Sequence, residues 1–253
     1  MEFGLLTGTA LDIVDFTLPQ DGLQTTRILA AANPKEKPQF FVGCAKWGRK
    51  EWVGLIYPPK TKEADFLEAY TQHFNSIELN ATFYNIPKEE QVMKWKAIAD
   101  KLPGSFIFCP KFSQPITHLR RLKNAEAETD AFLAGINAFG SHLGPCFLQL
   151  SDNFGPKNFD VLQNYLHELP KDLHLFVELR HKEWFNDPVA KAEVFAMLAA
   201  EKKGAVITDA SGRRDCVHME LTTSETFIRF VGNGKKKRIS DDERIDAWAE
   251  RIR

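Results

Sequence analysis

LHLFVELRHKEWFNDPVAKAEVFAMLAAEKKGAVITDASGRRD, residues 173–215, reads as a strand, a helix and a second strand that runs into a polar loop. Residues 173–178 (LHLFVE) and 204–208 (GAVIT) are short apolar runs with β-branched and aromatic side chains. Runs that do not alternate with polar residues suit strands covered on both faces, as in a parallel sheet. Between them, Asp187-Pro188 supplies a helix N-cap and first helical residue, and Lys202-Lys203-Gly204 a helix end. A strand returning through a helix to another strand is the parallel crossover unit.

Working outward, the same rhythm occupies most of the chain. Comparable runs lie at 40–44, 75–79, 105–109, 145–150 and 226–231. Helix-period faces fall between several of them: Phe66, Leu67, Tyr70 and Phe74; Phe132, Leu133, Ile136 and Phe139; Val161, Leu162, Tyr165, Leu166 and Leu169. The strand starts recur about every 31 residues, the repeat of an α/β fold of the TIM-like (β/α)₈ barrel type, in which eight units fill roughly 250 residues. The eighth strand is then expected near about residue 257, past Arg253, so the chain reads as a barrel lacking its eighth strand. Within the chain, the alternatives for that strand are the first 38 residues or HMELT (218–222). The closing segment SDDERIDAWAERIR reads as a helix capped by Ser240, with Ile245, Trp248, Ala249 and Ile252 on one face. Residues 1–38 read as an N-terminal extension and linker, with one short helix in LQTTRILAAA, and residues 39–253 as the barrel domain.

Composition narrows the function classes. The 253 residues carry 33 Lys and Arg against 34 Asp and Glu, a net charge of −1, and 20 Phe and 5 Trp. Wholesale disorder is excluded by that apolar content, and a nucleic-acid or membrane-surface binder is disfavoured by the charge. No stretch matches a membrane span or a signal peptide, and four widely spaced cysteines make no CxxC pair. A cytoplasmic protein with reduced core cysteines is the expectation. No GxSxG, HExxH, GxGxxG or phosphate-loop motif is present, and VGNGKKKR (231–238) reads as a solvated loop.

In (β/α) barrels the chemistry sits at strand C-termini and the loops that follow. Those positions carry Trp47 and Tyr57 after the first strand; Glu78, Asn80 and Thr82 after the second; Lys111 and His118 after the third; and Gln149 after the fourth. The fifth supplies Glu178, Arg180, His181 and Trp184, the sixth Asp209 and Arg213, and Arg229 lies within the seventh. Each has a plain structural alternative: Arg180 or Arg229 neutralising a buried glutamate, a hydrogen-bonded His118, tryptophans that only pack. Their convergence points to a pocket. Glu78, Glu178, His118 and Asp209 are the candidate acid–base groups. The arginines are suited to carboxylate or phosphate, and the remaining residues to substrate contacts.

Several segments carry a family likeness: VGCAKW with IYPP, IELNATFY, KFSQPITHLRRL, LGPCFLQL, VELRHKEWF and FIRFVG. With these, the chain from about residue 40 onward resembles the YecE-like family, domain of unknown function 72. NFGPKNF and ITDASGRRD resemble one branch of it, which carries a short N-terminal extension. The resemblance implies a TIM-like barrel with its pocket at the strand C-termini, and one more strand after the last helix. It implies no particular reaction.

Three functions follow as expectations. The first is an enzyme of hydrolase, isomerase or lyase type acting on a small anionic or sugar-like substrate, with no cofactor. The second is a metal-dependent, endonuclease IV-like barrel; its divalent metal would draw on Glu78, His118, Glu178, His181 and Asp209, and its partner would be nucleic acid. The third is a non-catalytic ligand-binding protein. No membrane partner is expected, and the residues carry no signal for oligomeric state.

Overall fold

Every one of the seven apolar runs forms a strand. The computed structural model describes residues 3–32, 37–233 and 239–252. Its elements follow as α1 (Leu23–Ala31), β1 (Gly43–Cys44), α2 (Phe66–Tyr70), β2 (Ser76–Leu79), α3 (Ala81–Tyr84), α4 (Glu89–Ala99), β3 (Ile107–Pro110), α5 (Glu126–Asn137) and β4 (Cys146–Gln149). Then come α6 (Phe159–Glu168), β5 (Leu175–Glu178), α7 (Glu183–Asn186), α8 (Pro188–Ala200), β6 (Gly204–Asp209), β7 (Phe227–Phe230) and α9 (Ile239–Arg251). The fold is α/β with parallel strands in sequential order, and seven strands occur among the described residues.

The chain divides into two compact units, Pro34–Leu150 with His167–Leu175, and Met1–Asn33 with Ser151–Leu166 and Phe176–Arg253. In the first, β1, β2 and β3 pair in order, with Cys44 opposite Ile77 and Glu78 opposite Cys109; a parallel bridge joins Lys111 to Phe147 at the start of β4. Its core is aromatic: Phe108 stacks on Phe139 at 4.5 Å and Phe112 lies 4.6 Å from Phe132. Tyr70 ties the sheet edge, its hydroxyl accepting from the Cys44 N–H and donating to the Ser76 carbonyl. Cys109 and Cys146 are buried in this core as free thiols, and burial pushes Cys109 up to about 12.

In the second unit β5, β6 and β7 pair in order, Phe176 opposite Gly204 and Asp209 opposite Phe230. β5 and β6 are buried along their whole length, which is why their sequences are apolar throughout. Asp187 caps α8 as its sequence promises, accepting from the Val189 and Ala190 N–H groups. Gly204 has a steric reason: a Cβ there would lie 2.2 Å from the Phe176 ring.

The helix expected in LQTTRILAAA is α1. It is seated by the loop after β6, because Gly22 N–H donates to Met219 O and Glu220 accepts from the Gln24 N–H at the helix N-terminus. HMELT is therefore no strand: Met219 has φ +50, outside the extended region, and its carbonyl serves α1 through Gly22 and Thr25. The closing helix also departs from expectation. It begins at Ile239, so Ser240 lies inside its first turn, and it buries Arg244 and Trp248 while Ile245 is 53% exposed. Most of the VGNGKKKR loop lies outside the described residues.

Asp209 explains that choice of face. It is fully buried at the end of β6, where an ionised carboxylate is costly unless fully paired. Arg244 Nη2 donates to it at 2.7 Å, the Trp248 indole N–H at 2.7 Å, and Arg214 forms a further short ion pair. Arg244 Nη2 also reaches the Asp209 and Val231 carbonyls, and its guanidinium stacks on Phe230 at 4.1 Å and Phe16 at 4.8 Å.

Two stability predictions follow. Asp209→Asn removes the counter-charge of buried Arg244 and of part-buried Arg214 and should cost about 3–5 kcal/mol in urea unfolding. The second concerns His218, which is buried against Phe195 and Phe185, donates from Nε2 to Val206 O and accepts the Glu220 N–H at Nδ1. Desolvation lowers its pKa to about 4. The unfolded chain then binds the proton more readily below about pH 6.5, so this group should remove stability as pH falls from about 6.5 to 4, by about 3 kcal/mol in all. The wild type should lose that much more than His218→Gln between pH 7 and pH 4 by chemical denaturation.

Candidate functional site

The strand ends carry polar groups in both units. In the unit of β1–β4, Glu78 ends β2 half-buried and accepts from Asn80 Nδ2 at 2.8 Å; the same amide donates to Ala45 O. Lys111 follows β3, 5% exposed, with Nζ 2.8 Å from Gln149 Oε1 at the end of β4 and 4.3 Å from the centre of the Phe83 ring. Phe83 also meets the His118 ring edge-on at 5.1 Å. Lys111 and His118 thus share one aromatic neighbour, which sequence reading passed over although it sits inside NATFY.

His118 lies in a π-helical turn, Pro115–Leu119, with Nδ1 2.8 Å from the Thr117 hydroxyl. Arg121, Leu122 and Asn124 follow in left-handed conformations, unusual for non-glycine residues. Single π turns and local backbone strain of this kind recur at functional sites. Thr82, by contrast, is a backbone clamp: its buried hydroxyl is shared between Leu79 O and Lys111 O and accepts the Lys111 N–H. Trp47 packs edge-on against Trp95 at 5.6 Å. Tyr57 is a core residue, 2% exposed, its hydroxyl donated to Trp47 O and its pKa pushed up to about 12 by burial.

In the unit of β5–β7, Glu178 is fully buried. Arg180 Nε donates to its Oε1 at 3.0 Å and Arg229 Nη1 to its Oε2 at 2.6 Å, with the Thr208 hydroxyl 3.4 Å from Oε1. The two-residue spacing puts Arg180 on the same side as Glu178. Arg213 forks onto Asp215, at 2.8 Å through Nε and 2.7 Å through Nη2. Arg180 and Arg213 then meet at a cavity of about 560 Å³, lined also by Asp152, Gly212, Phe3 and Leu6. Phe3 has no periodic or motif signal, and nothing in the sequence marks it.

The remaining candidates have structural employment. Trp184 is fully buried and its indole N–H donates to Phe154 O at 2.7 Å, so it packs beneath the site rather than covering it. His181 accepts the Glu183 N–H, and its ring lies where a Gly155 side chain would be. Asp209 carries Arg214, Arg244 and the Trp248 indole on its oxygens.

Comparison with known proteins agrees with this architecture. A family model described as "Protein of unknown function DUF72" matches residues 41–253. UPF0759 protein YecE of Escherichia coli (strain K12) is 28% identical over 234 residues, 84% of this chain and 80% of YecE. UPF0759 protein YunF of Bacillus subtilis (strain 168) is 27% identical over 207 residues, 78% of this chain and 71% of YunF. Among solved structures, a DUF72 family protein from Enterococcus faecalis V583 aligns with a TM-score of 0.58 at 18% identity, covering 83% of this chain and 97% of that one. By its match from β1 through α9, the chain belongs to the DUF72 family.

Proposed function

We propose that this protein is an enzyme that binds a small anionic substrate, a carboxylate or phosphate, at the arginine-lined cavity beyond β5 and β6. One observation carries the reading: Arg180 and Arg213 converge on a cavity of about 560 Å³ while the single carboxylate of Glu178 serves both Arg180 and Arg229. Asp215 pairs with Arg213 at 2.7 Å. Asp152 is 72% exposed in its side chain and 4.0 Å from Arg180 Nη1, where solvent screens it. Two guanidiniums that line one cavity suit an anionic ligand, because their planar forks match oxyanion geometry. Within the unit of β1–β4, separately, Glu78, paired with Asn80, and His118, held by Thr117 in its π turn, are the proposed acid–base groups. Sequential parallel pairing within each sheet supports a barrel-type arrangement of the strands.

The metal-dependent alternative fits the donors less well. Glu178 and Asp209 are each held by two arginines, and among the described residues no three His, Cys, Asp or Glu side chains stand together as a ligand set.

Thermal shift and calorimetry with millimolar phosphate, sulfate, sugar phosphates and dicarboxylates test the reading. A true ligand at 100 times its Kd should add about 2.7 kcal/mol of stability. Arg180→Ala and Arg213→Ala should each weaken binding by about 2–5 kcal/mol where the contact is desolvated. No stabilisation across the panel overturns anion binding; binding without turnover, followed by NMR, overturns the enzymatic part and leaves a ligand-binding protein.

A further inference from the structure

Residues 3–6 lie upstream of the segment that the family model matches, yet they form one wall of the arginine cavity. Their register is fixed. Gly4 O accepts the Gly212 N–H at 2.7 Å and the Ser211 hydroxyl at 3.1 Å, and Ser211 Oγ accepts the Leu6 N–H at 3.1 Å. Gly4 has φ +65, and a Cβ there would stand 2.9 Å from Ala210 Cβ and 3.0 Å from Arg213 Cγ. Both the conformation and the close approach require glycine.

This strap delivers one aromatic ring to two cations. The Arg180 guanidinium lies 4.2 Å from the centre of the Phe3 ring and that of Arg213 lies 4.8 Å from it. Two like charges at one cavity repel, and each attraction that holds them together counts. Glu178 and Asp215 act on their edges, through Nε of Arg180 and through the fork of Arg213. An aromatic ring acts through its electron-rich face and takes up none of the N–H donors, which lie in the guanidinium plane.

Resting on the anion-binding reading above, we infer that Phe3 is a positioning residue of this site: it holds the Arg180 and Arg213 guanidiniums side by side at the cavity, where a multiply charged oxyanion, such as a phosphate monoester or a dicarboxylate, meets both. The N-terminal segment is then part of the binding machinery rather than a leader into the domain.

The test uses the full chain, with inorganic phosphate and succinate as probes, and the variants Phe3→Ala, Phe3→Leu, Phe3→Tyr and Gly4→Ala. Calorimetry gives the affinity, and the Arg Nε–Hε NMR signals report ring-current shifts at Arg180 and Arg213. Phe3→Ala and Phe3→Leu should abolish those shifts and weaken binding about five- to tenfold, as loss of about 1 kcal/mol of cation–π attraction implies. Phe3→Tyr should preserve both properties. Gly4→Ala, which keeps the ring and displaces the strap, should behave as Phe3→Ala does. Wild-type affinity in Phe3→Leu with the shifts lost overturns the inference while anion binding stands. Tighter binding in Phe3→Ala overturns it too, by making the strap a plug. Failure of the wild type to bind any anion defeats both readings together.

Discussion

A carboxylate with no access to water sets the terms for the unit built on β5–β7. Asp209 faces two arginines and an indole, and each of these donors must be held in place by something else. Arg244 is itself 1% exposed and needs the Val231 carbonyl and the faces of Phe16 and Phe230. Arg214 gives its second nitrogen to Phe16 O. The end of β6, the last helix and the N-terminal segment are thereby bound into one polar cluster. A cluster of this kind contributes specificity more than net stability, because a well-packed apolar replacement often does as well. Its members exclude alternative seats for α9, whose sequence offers isoleucines that would otherwise compete for burial.

Glu178 shows the contrast that makes a site. Asp209 accepts from two arginines and an indole. Glu178 pairs with both Arg180 and Arg229, and Arg180 also lines the cavity. Two acidic residues on neighbouring parallel strands therefore do opposite jobs. One closes an electrostatic account within the fold, and the other leaves its partner oriented toward solvent-filled space.

The strands were legible because burial on both faces writes itself into continuous apolar runs, and α8 because Asp187-Pro188 has only one sensible use. The site was legible as a set of positions and much less as a set of roles. Trp184 and Tyr57 carry polar tips that look available in sequence, yet each tip is spent on a carbonyl, of Phe154 and Trp47, that no spacing rule connects to it. Asp209 resembled a catalytic acid because its partners Arg244 and Trp248 lie 35 and 39 residues away. The π turn at His118 left no trace in hydrophobic period. Phe3 was invisible for the same reason that makes it interesting: its significance comes from a backbone strap and two distant arginines, and from no local pattern at all.

The way the Asp209 cluster draws on the chain has a consequence for biosynthesis. The unit of β1–β4 comes mostly from one continuous stretch, Pro34–Leu150, and can begin to fold once that stretch has left the ribosome. The other unit cannot. Phe16 and Trp248 are made about 230 residues apart, so the N-terminal segment waits through all of that synthesis for the indole and guanidinium that complete its surroundings. At about 5–20 residues per second that wait lasts on the order of ten seconds to a minute. β5 and β6 precede Trp248 by only about 40 to 70 residues, so for roughly the last 2 to 15 seconds of it they stand as apolar strands without α9, the state in which this chain depends most on being shielded from its neighbours.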